Sequence, residues 1–203
     1  MKKLIYGIGT NDADYSLRPM VGNTRVRCKI YSKWYDMLKR CYSERYQTRF
    51  PTYVGCTVCD EWLTFSKFKA WMETQDWEAK ELDKDLLVSG NKVYGPDTCI
   101  FVSQKINSLT IFHASRRGEY PIGLYFNKSK RKLKSQVNIN SKVTHLGYFD
   151  CPHQAHQAWQ RAKIAIIRDA AKEENDERLV AALNRIADKV QGDLDIDIET
   201  THY

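Results

Sequence analysis

No apolar run in this chain of 203 residues approaches the roughly 20 residues that a bilayer-spanning helix needs. The opening Met1-Lys2-Lys3 leads into only Leu4-Ile5-Tyr6-Gly7. That is too brief an apolar stretch for a secretory signal, so a cytoplasmic protein with no membrane partner is expected. A dinucleotide-binding loop is also missing: Gly7 and Gly9 have no third glycine in register, no preceding apolar strand and no following helix. Acid is the scarcest commodity locally. Residues 111–168 hold 11 Lys+Arg against 2 Asp+Glu, a net of +9, whereas residues 1–110 net +4 and residues 169–203 net −6. A one-signed block followed by an acidic end implies a polyanion-binding module whose tail is kept off the ligand. The aromatics and amides interleaved with the cations set it apart from a merely solubilising surface.

Cysteine, by contrast, is plentiful, at Cys28, Cys41, Cys56, Cys59, Cys99 and Cys151. With no secretory route disulfides are not expected, so the thiols are either buried apolar groups or metal ligands. Cys56-Thr57-Val58-Cys59 has the spacing that lets two thiolates reach one zinc ion. No second such pair follows, which leaves Cys41 and Cys99, each beside a core element, as the candidates to complete a structural Zn²⁺ site.

At 42% apolar residues the chain can build a real core, as one large or two small domains. Residues 1–27 lack periodicity and read as an irregular arm. Trp34, Met37, Leu38 and Cys41 fall at i, i+3, i+4 and i+7, which predicts an amphipathic helix from Ile30 to Tyr42. A polar and aromatic loop, Ser43 to Tyr53, leads to the cysteine pair. Thr64 is a plausible N-cap for a helix carrying Phe65, Phe68, Trp71 and Met72, whose spacing marks core rather than a base-stacking platform.

Between Glu81 and Asn107 the order is strand, Gly90-Asn91 turn, strand, helix, with Ser103 capping a helix that runs to about Ala114. Asp83 at the end of the first strand and Asn107 on the helix offer hard oxygen ligands that could converge on one Mg²⁺ or Mn²⁺ ion. Arg116-Arg117-Gly118-Glu119 then breaks the pattern. Three short strands are predicted at Tyr120–Phe126, Lys132–Asn140 and Val143–Phe149. In the middle one Leu133, Ser135, Val137 and Ile139 face one way, while Lys132, Lys134, Gln136, Asn138 and Asn140 face the other. With the turn cations Lys128, Lys130 and Arg131, such a face suits phosphates and base edges in a DNA major groove. A helix with Ala155, Ala158, Trp159 and Ala162 on one face follows. Its continuation to Val190, open to interruption at Asn175-Asp176, is a long exposed helix, a packing element or a dimerisation helix, and residues 192–203 read as an unstructured acidic end.

Two resemblances fit these residues. Trp34, Met37-Leu38, Arg40-Cys41-Tyr42, Tyr53, Gly55 to Trp62, Phe65, Phe68, Leu82-Asp83-Lys84-Asp85, Gly90 to Tyr94, Pro96, Thr98-Cys99, Phe101 and Asn107 together resemble the HNH-type endonucleases of bacteriophages. Tyr120 to Leu124, Leu146 to Asp150, Ala155, Ala158-Trp159 and Ala162 resemble the AP2 DNA-binding domain often fused to such nucleases. The resemblance implies an α+β chain: a degenerate ββα metal finger with flanking helices, then a three-stranded antiparallel sheet plus helix, then a long C-terminal helix. Its domains would be an arm (1–27), an HNH-like nuclease domain (28–115), an AP2-like domain (116–168) and a C-terminal helix with acidic tail (169–203). It further implies metal-dependent hydrolysis of duplex DNA, with Asp83 and Asn107 as Mg²⁺ or Mn²⁺ ligands and Asn91 bracing the turn. The active finger carries a histidine general base after the acid, and here that position is Lys84. Three roles are open to this lysine. It could be a base, if its pKa fell from about 10.4 to near 7; it could be a neutraliser of phosphate charge, with His113 the nearest histidine in sequence; or it could belong to a finger kept only as a fold. The alternative to an endonuclease is therefore a catalytically inactive DNA-binding protein or regulator, possible as a homodimer through the C-terminal helix.

Overall fold

The structure, a computed structural model, describes residues 4–111, 119–139 and 142–203. Asn140, His113 and the Arg116-Arg117-Gly118 break lie outside them. The chain is α+β and divides into two units, Met1–Val102 and Ser103–Tyr203. This division falls ahead of the boundary at 115/116 expected from sequence. The helix after Ser103 is held by its own unit: its Leu109 carbonyl accepts from the Lys163 ammonium at 2.5 Å.

In the first unit, α1 (Lys29–Tyr42) buries Trp34, Met37, Leu38 and Cys41, as their spacing requires. The segment after it is not a plain loop. Ser43 accepts from the Tyr46 N–H at 3.3 Å and starts α2 (Glu44–Arg49), which a 3₁₀ turn at Pro51–Tyr53 follows. Next, α3 (Phe65–Met72) buries Phe65, Phe68 and Met72, and the Trp34 indole donates to the Trp62 carbonyl at 2.7 Å. Thr64 stands at the N-cap position without a side-chain bond. The capping oxygens come instead from Asp12, which accepts from the Ser66 N–H at 2.9 Å and the Ser66 hydroxyl at 2.5 Å.

The N-terminal arm is therefore part of this core. Ile5, Tyr6 and Ile8 pack against it, and Gly9 lies so close that an added Cβ would stand 2.3 Å from Leu38 Cδ1. The arm also forms a small hairpin, β1 (Met20–Val21) with β2 (Thr24–Arg25). Beyond α3, β4 (Glu81–Asp83) pairs antiparallel with β6 (Ile100–Val102), and β5 (Val93–Tyr94) pairs parallel with β3 (Thr57–Val58).

The second unit opens with α4 (Gln104–Thr110), where the Ser103 hydroxyl accepts from the Ile106 N–H at 3.2 Å. Strands β7 (Leu124–Asn127), β8 (Lys132–Ile139) and β9 (Lys142–Phe149) form an antiparallel sheet in the order β7-β8-β9. The first strand starts at Leu124 rather than Tyr120, because Gly123 turns with φ +82° and the Trp159 indole occupies the place a Cβ would take. The sheet lies on α5 (Pro152–Lys172), with Leu124, Leu133 and Ala155 buried between them. The chain is interrupted at Asn175-Asp176, and the two helices form a helical hairpin. Asp176 accepts from the Arg178 N–H at 2.9 Å and starts α6 (Glu177–Asp195), which runs back along α5 and buries Leu179, Leu183, Ile186 and Val190. The apolar stripe on α6 is thus used within the chain.

The C-terminal end is not unstructured as expected. Thr200 is fully buried, and Gln160 of α5 donates to the Ile198 carbonyl at 3.0 Å and the Thr200 hydroxyl at 3.1 Å. His156 Nε2 accepts from the Thr200 N–H at 3.1 Å while Nδ1 faces the Ile122 carbonyl at 3.2 Å, which fixes the proton on Nδ1.

Candidate functional site

Asp83 ends β4 opposite Ile100. Its Oδ1 accepts from the backbone N–H of Asp85 at 3.0 Å and of Leu86 at 2.8 Å, which turns the chain sharply after the strand. Burial pushes the Asp83 carboxyl above the ordinary range and the neighbouring charge of Asp85 adds to this; the two N–H bonds pull the other way without cancelling it. Two carboxylates thus compete for one small region.

Lys84 is only 7% exposed, and its ammonium donates to Asp85 Oδ2 at 2.8 Å and to the Asn91 carbonyl at 3.1 Å. Burial alone would lower its pKa, but the bond to Asp85 and that residue's charge outweigh it, so Lys84 titrates above an ordinary lysine. An ammonium held in this way has no lone pair with which to take a proton from water near neutral pH. Asn91 ties the loop together. Its amide donates to the carbonyls of Lys84 at 2.6 Å and Val93 at 2.7 Å, and accepts from the Val93 N–H at 3.1 Å. Asn107 lies half-buried on α4 in the second unit, whereas Asp83, Lys84 and Asn91 belong to the first.

Cys41, Cys56 and Cys99 are buried in the same core, and Cys59 packs against it. Burial pushes Cys41 and Cys99 up to about 12 and raises Cys59 as well, so these thiols keep their protons. Among the described residues, no group of three or more His, Cys, Asp and Glu side chains is placed to hold a metal ion.

The sheet presents a different surface. Along β8 the residues alternate, with Leu133, Ser135 and Val137 buried and Lys132, Lys134, Gln136 and Asn138 on the open face. Register sets neighbours beside each of these. Tyr125 and Tyr148 flank Lys134, Asn127 pairs with Lys132, His145 with Gln136 and Val143 with Asn138. A bulge between Ser135 and Gln136 leaves Leu146 as the extra residue on β9. Tyr125 is 58% exposed, the His145 and Tyr148 rings lie 4.5 Å apart, and the Lys130 ammonium stands 4.1 Å over the Tyr148 ring. Lys128 and Arg131 are exposed in the turn, where Asn127 Oδ1 accepts from the Lys130 N–H at 2.9 Å. Lys132 is paired with Asp150 at 2.9 Å. Sequence reasoning missed Tyr125, His145 and Tyr148 as members of this face, because cross-strand register is what gathers them. No protein-family profile, curated protein or solved structure matches the chain.

Proposed function

We propose that this protein binds duplex DNA with the open face of the three-stranded sheet, as an AP2-like domain following a degenerate HNH-type finger would, and that it acts in the cytoplasm of the cell that makes it. The observation that supports this is the row Lys132, Lys134, Gln136 and Asn138, two cations and two amides on one open sheet face, with aromatic neighbours on both sides. Ammonium groups take phosphates without regard to sequence, whereas amides distinguish base edges. In titrations of full-length protein against duplex DNA, Lys134→Ala should weaken binding to all sequences alike. It should also reduce the slope of log affinity against log salt by about 0.9. Gln136→Ala and Asn138→Ala should instead change sequence preference at a cost of about 1–3 kcal/mol for the preferred base. Unaltered binding in all three variants would remove the reading.

A second reading, metal-dependent cleavage of that DNA, is favoured by the raised carboxyl of Asp83 beside Asp85. A divalent cation there would relieve both desolvation and like-charge repulsion. Asp83 would hold Mg²⁺ or Mn²⁺, and the ion would supply an acidified water and neutralise phosphate charge; Asn107 is a ligand by the resemblance alone. The part left to Lys84 is to fix Asp85 and the Asn91 carbonyl, since its ammonium is already committed to both. Plasmid nicking with Mg²⁺ or Mn²⁺ that disappears in Asp83→Ala and Asn107→Ala would establish it. Tight, salt-dependent binding without nicking leaves a non-catalytic DNA-binding protein. A structural zinc on Cys41, Cys56, Cys59 and Cys99 is tested by the zinc content of purified protein, with Cys59→Ser as control.

A further inference from the structure

We propose that the hairpin between Leu17 and Cys28, in the first unit, is a second nucleic-acid contact, in which Arg18, Arg25 and Arg27 hold backbone phosphates of duplex DNA. The partner is the one proposed for the sheet, but the contact stands on residues of the other unit and does not need the sheet.

Backbone bonds fix the register of this hairpin. The Cys28 N–H donates to the Leu17 carbonyl at 2.9 Å and the Val26 N–H to the Pro19 carbonyl at 3.0 Å, while Met20 and Val21 stand opposite Arg25 and Thr24. Gly22, with φ +59°, makes the two-residue turn with Asn23. Side chains alternate along each strand. Arg18, Met20, Arg25 and Arg27 therefore share one face, with Arg18 across from Arg27, and Pro19, Val21, Thr24 and Val26 share the other. Leu17, on the apolar face, packs on the core and anchors the base of the ribbon. Every residue from 18 to 27 is exposed.

Three guanidiniums on one face of a two-stranded ribbon repel one another, and like charges directly across a strand pair destabilise it. Nothing nearby in the chain offsets this. Residues 15–35 contain five Lys+Arg and no Asp or Glu. Among the described residues, Arg18, Arg25 and Arg27 form no ion pair within 4 Å. Arg27 is held by rings instead, its guanidinium 4.8 Å from the centre of Tyr35 and 5.5 Å from that of Tyr31. Such contacts position a cation without neutralising it. Helix α1 then begins at Lys29 with no acid in its first turn, so its positive end adds to the same field.

An exposed row of one-signed charge is relieved by a polyanion. Duplex DNA suits its shape as well, because a major groove about 12 Å wide admits a two-stranded ribbon. Guanidinium groups match phosphate with paired, parallel hydrogen bonds.

The test is titration of the full-length protein against duplexes of several sequences. Arg18→Gln and Arg25→Gln should each weaken binding to all of them alike and lower the slope of log affinity against log salt by about 0.9, and the double substitution by about 1.8. The free protein should melt at an unchanged or higher temperature in both variants, since repulsion is relieved; a merely structural arginine would show a fall. Lys134→Ala separates the two contacts. A slope lowered by the hairpin variants and not by Lys134→Ala would keep the hairpin and remove the sheet. A wild-type slope in Arg18→Gln and Arg25→Gln, with a loss in Lys134→Ala, would overturn the hairpin and keep the sheet. A loss confined to one sequence would overturn the assignment to phosphates, and a wild type that binds no duplex would overturn both contacts.

Discussion

Lys163 carries a full ammonium into the interior of the second unit, where it donates to the Leu109 carbonyl and the Tyr203 ring lies 5.5 Å away. Desolvation by burial lowers its pKa to about 8. The unfolded chain therefore binds more protons between that value and the ordinary lysine value of about 10.4. By linkage, stability must rise as pH climbs through this window, and the penalty is present in full below it. The penalty near neutral pH is on the order of 3 kcal/mol. Denaturant melts of wild type should show stability increasing from pH 8 to pH 10, and Lys163→Met should flatten that rise and raise stability at pH 7. A flat wild-type profile would contradict the burial argument. Legibility at this scale is partial. That Lys84 is flanked by Asp83 and Asp85 is legible directly, and acids on either side oppose a lowered lysine pKa. Its second anchor, the Asn91 carbonyl, comes from the far side of the turn and had no sequence signal.

Among the elements, those built from local periodicity were legible and those completed at long range were not. Four apolar residues at helical spacing sufficed for α1, and the alternation of Leu133, Ser135 and Val137 sufficed for β8. The cap of α3 comes from Asp12, 54 positions away, so Thr64 looked adequate when it makes no side-chain bond. The open face of β9 was hidden for another reason. Its bulge resets the alternation, so His145 and Val143 cannot be assigned to a side by counting back from Phe149. The turn before β7 gives the sharpest prediction at this scale. Gly123 has φ +82°, and an added Cβ would stand 2.1 Å from the Trp159 ring. Gly123→Ala must strain the backbone and displace the indole that packs the sheet on α5, at a cost of about 2 kcal/mol or more. Calorimetry should show a large fall in melting temperature, with a loss of DNA binding that follows the loss of fold.

Across the whole molecule, the concentration of cations in residues 111–168 and of acids after them suggested a tail held away from the ligand. The acids are instead tied down by the second unit itself: Glu173 pairs with Lys105, Asp188 with Arg168 at 3.3 Å, and Asp197 with His153 at 2.6 Å. The two pictures predict opposite results for a chain truncated after Asp195. Removing a floating acidic tail raises DNA affinity and leaves stability alone. Removing a docked one uncovers Gln160 and Lys163 on α5 and lowers the melting temperature by several degrees, which is the outcome expected here. No helix among the described residues is long and apolar enough to cross a membrane.

Leu146, the spare residue of the β9 bulge, makes the sheet tolerant of one kind of change and intolerant of another. Losing that residue would close the ladder and leave Val143, His145 and Tyr148 on the side they now occupy, so the strand could shorten by a single codon with its surface intact. A one-residue gain between Val143 and His145 would turn the outer end of the strand over and bring Val143 to the α5 side. Drift in gene length is therefore harmless at one point of this strand and ruinous two positions away.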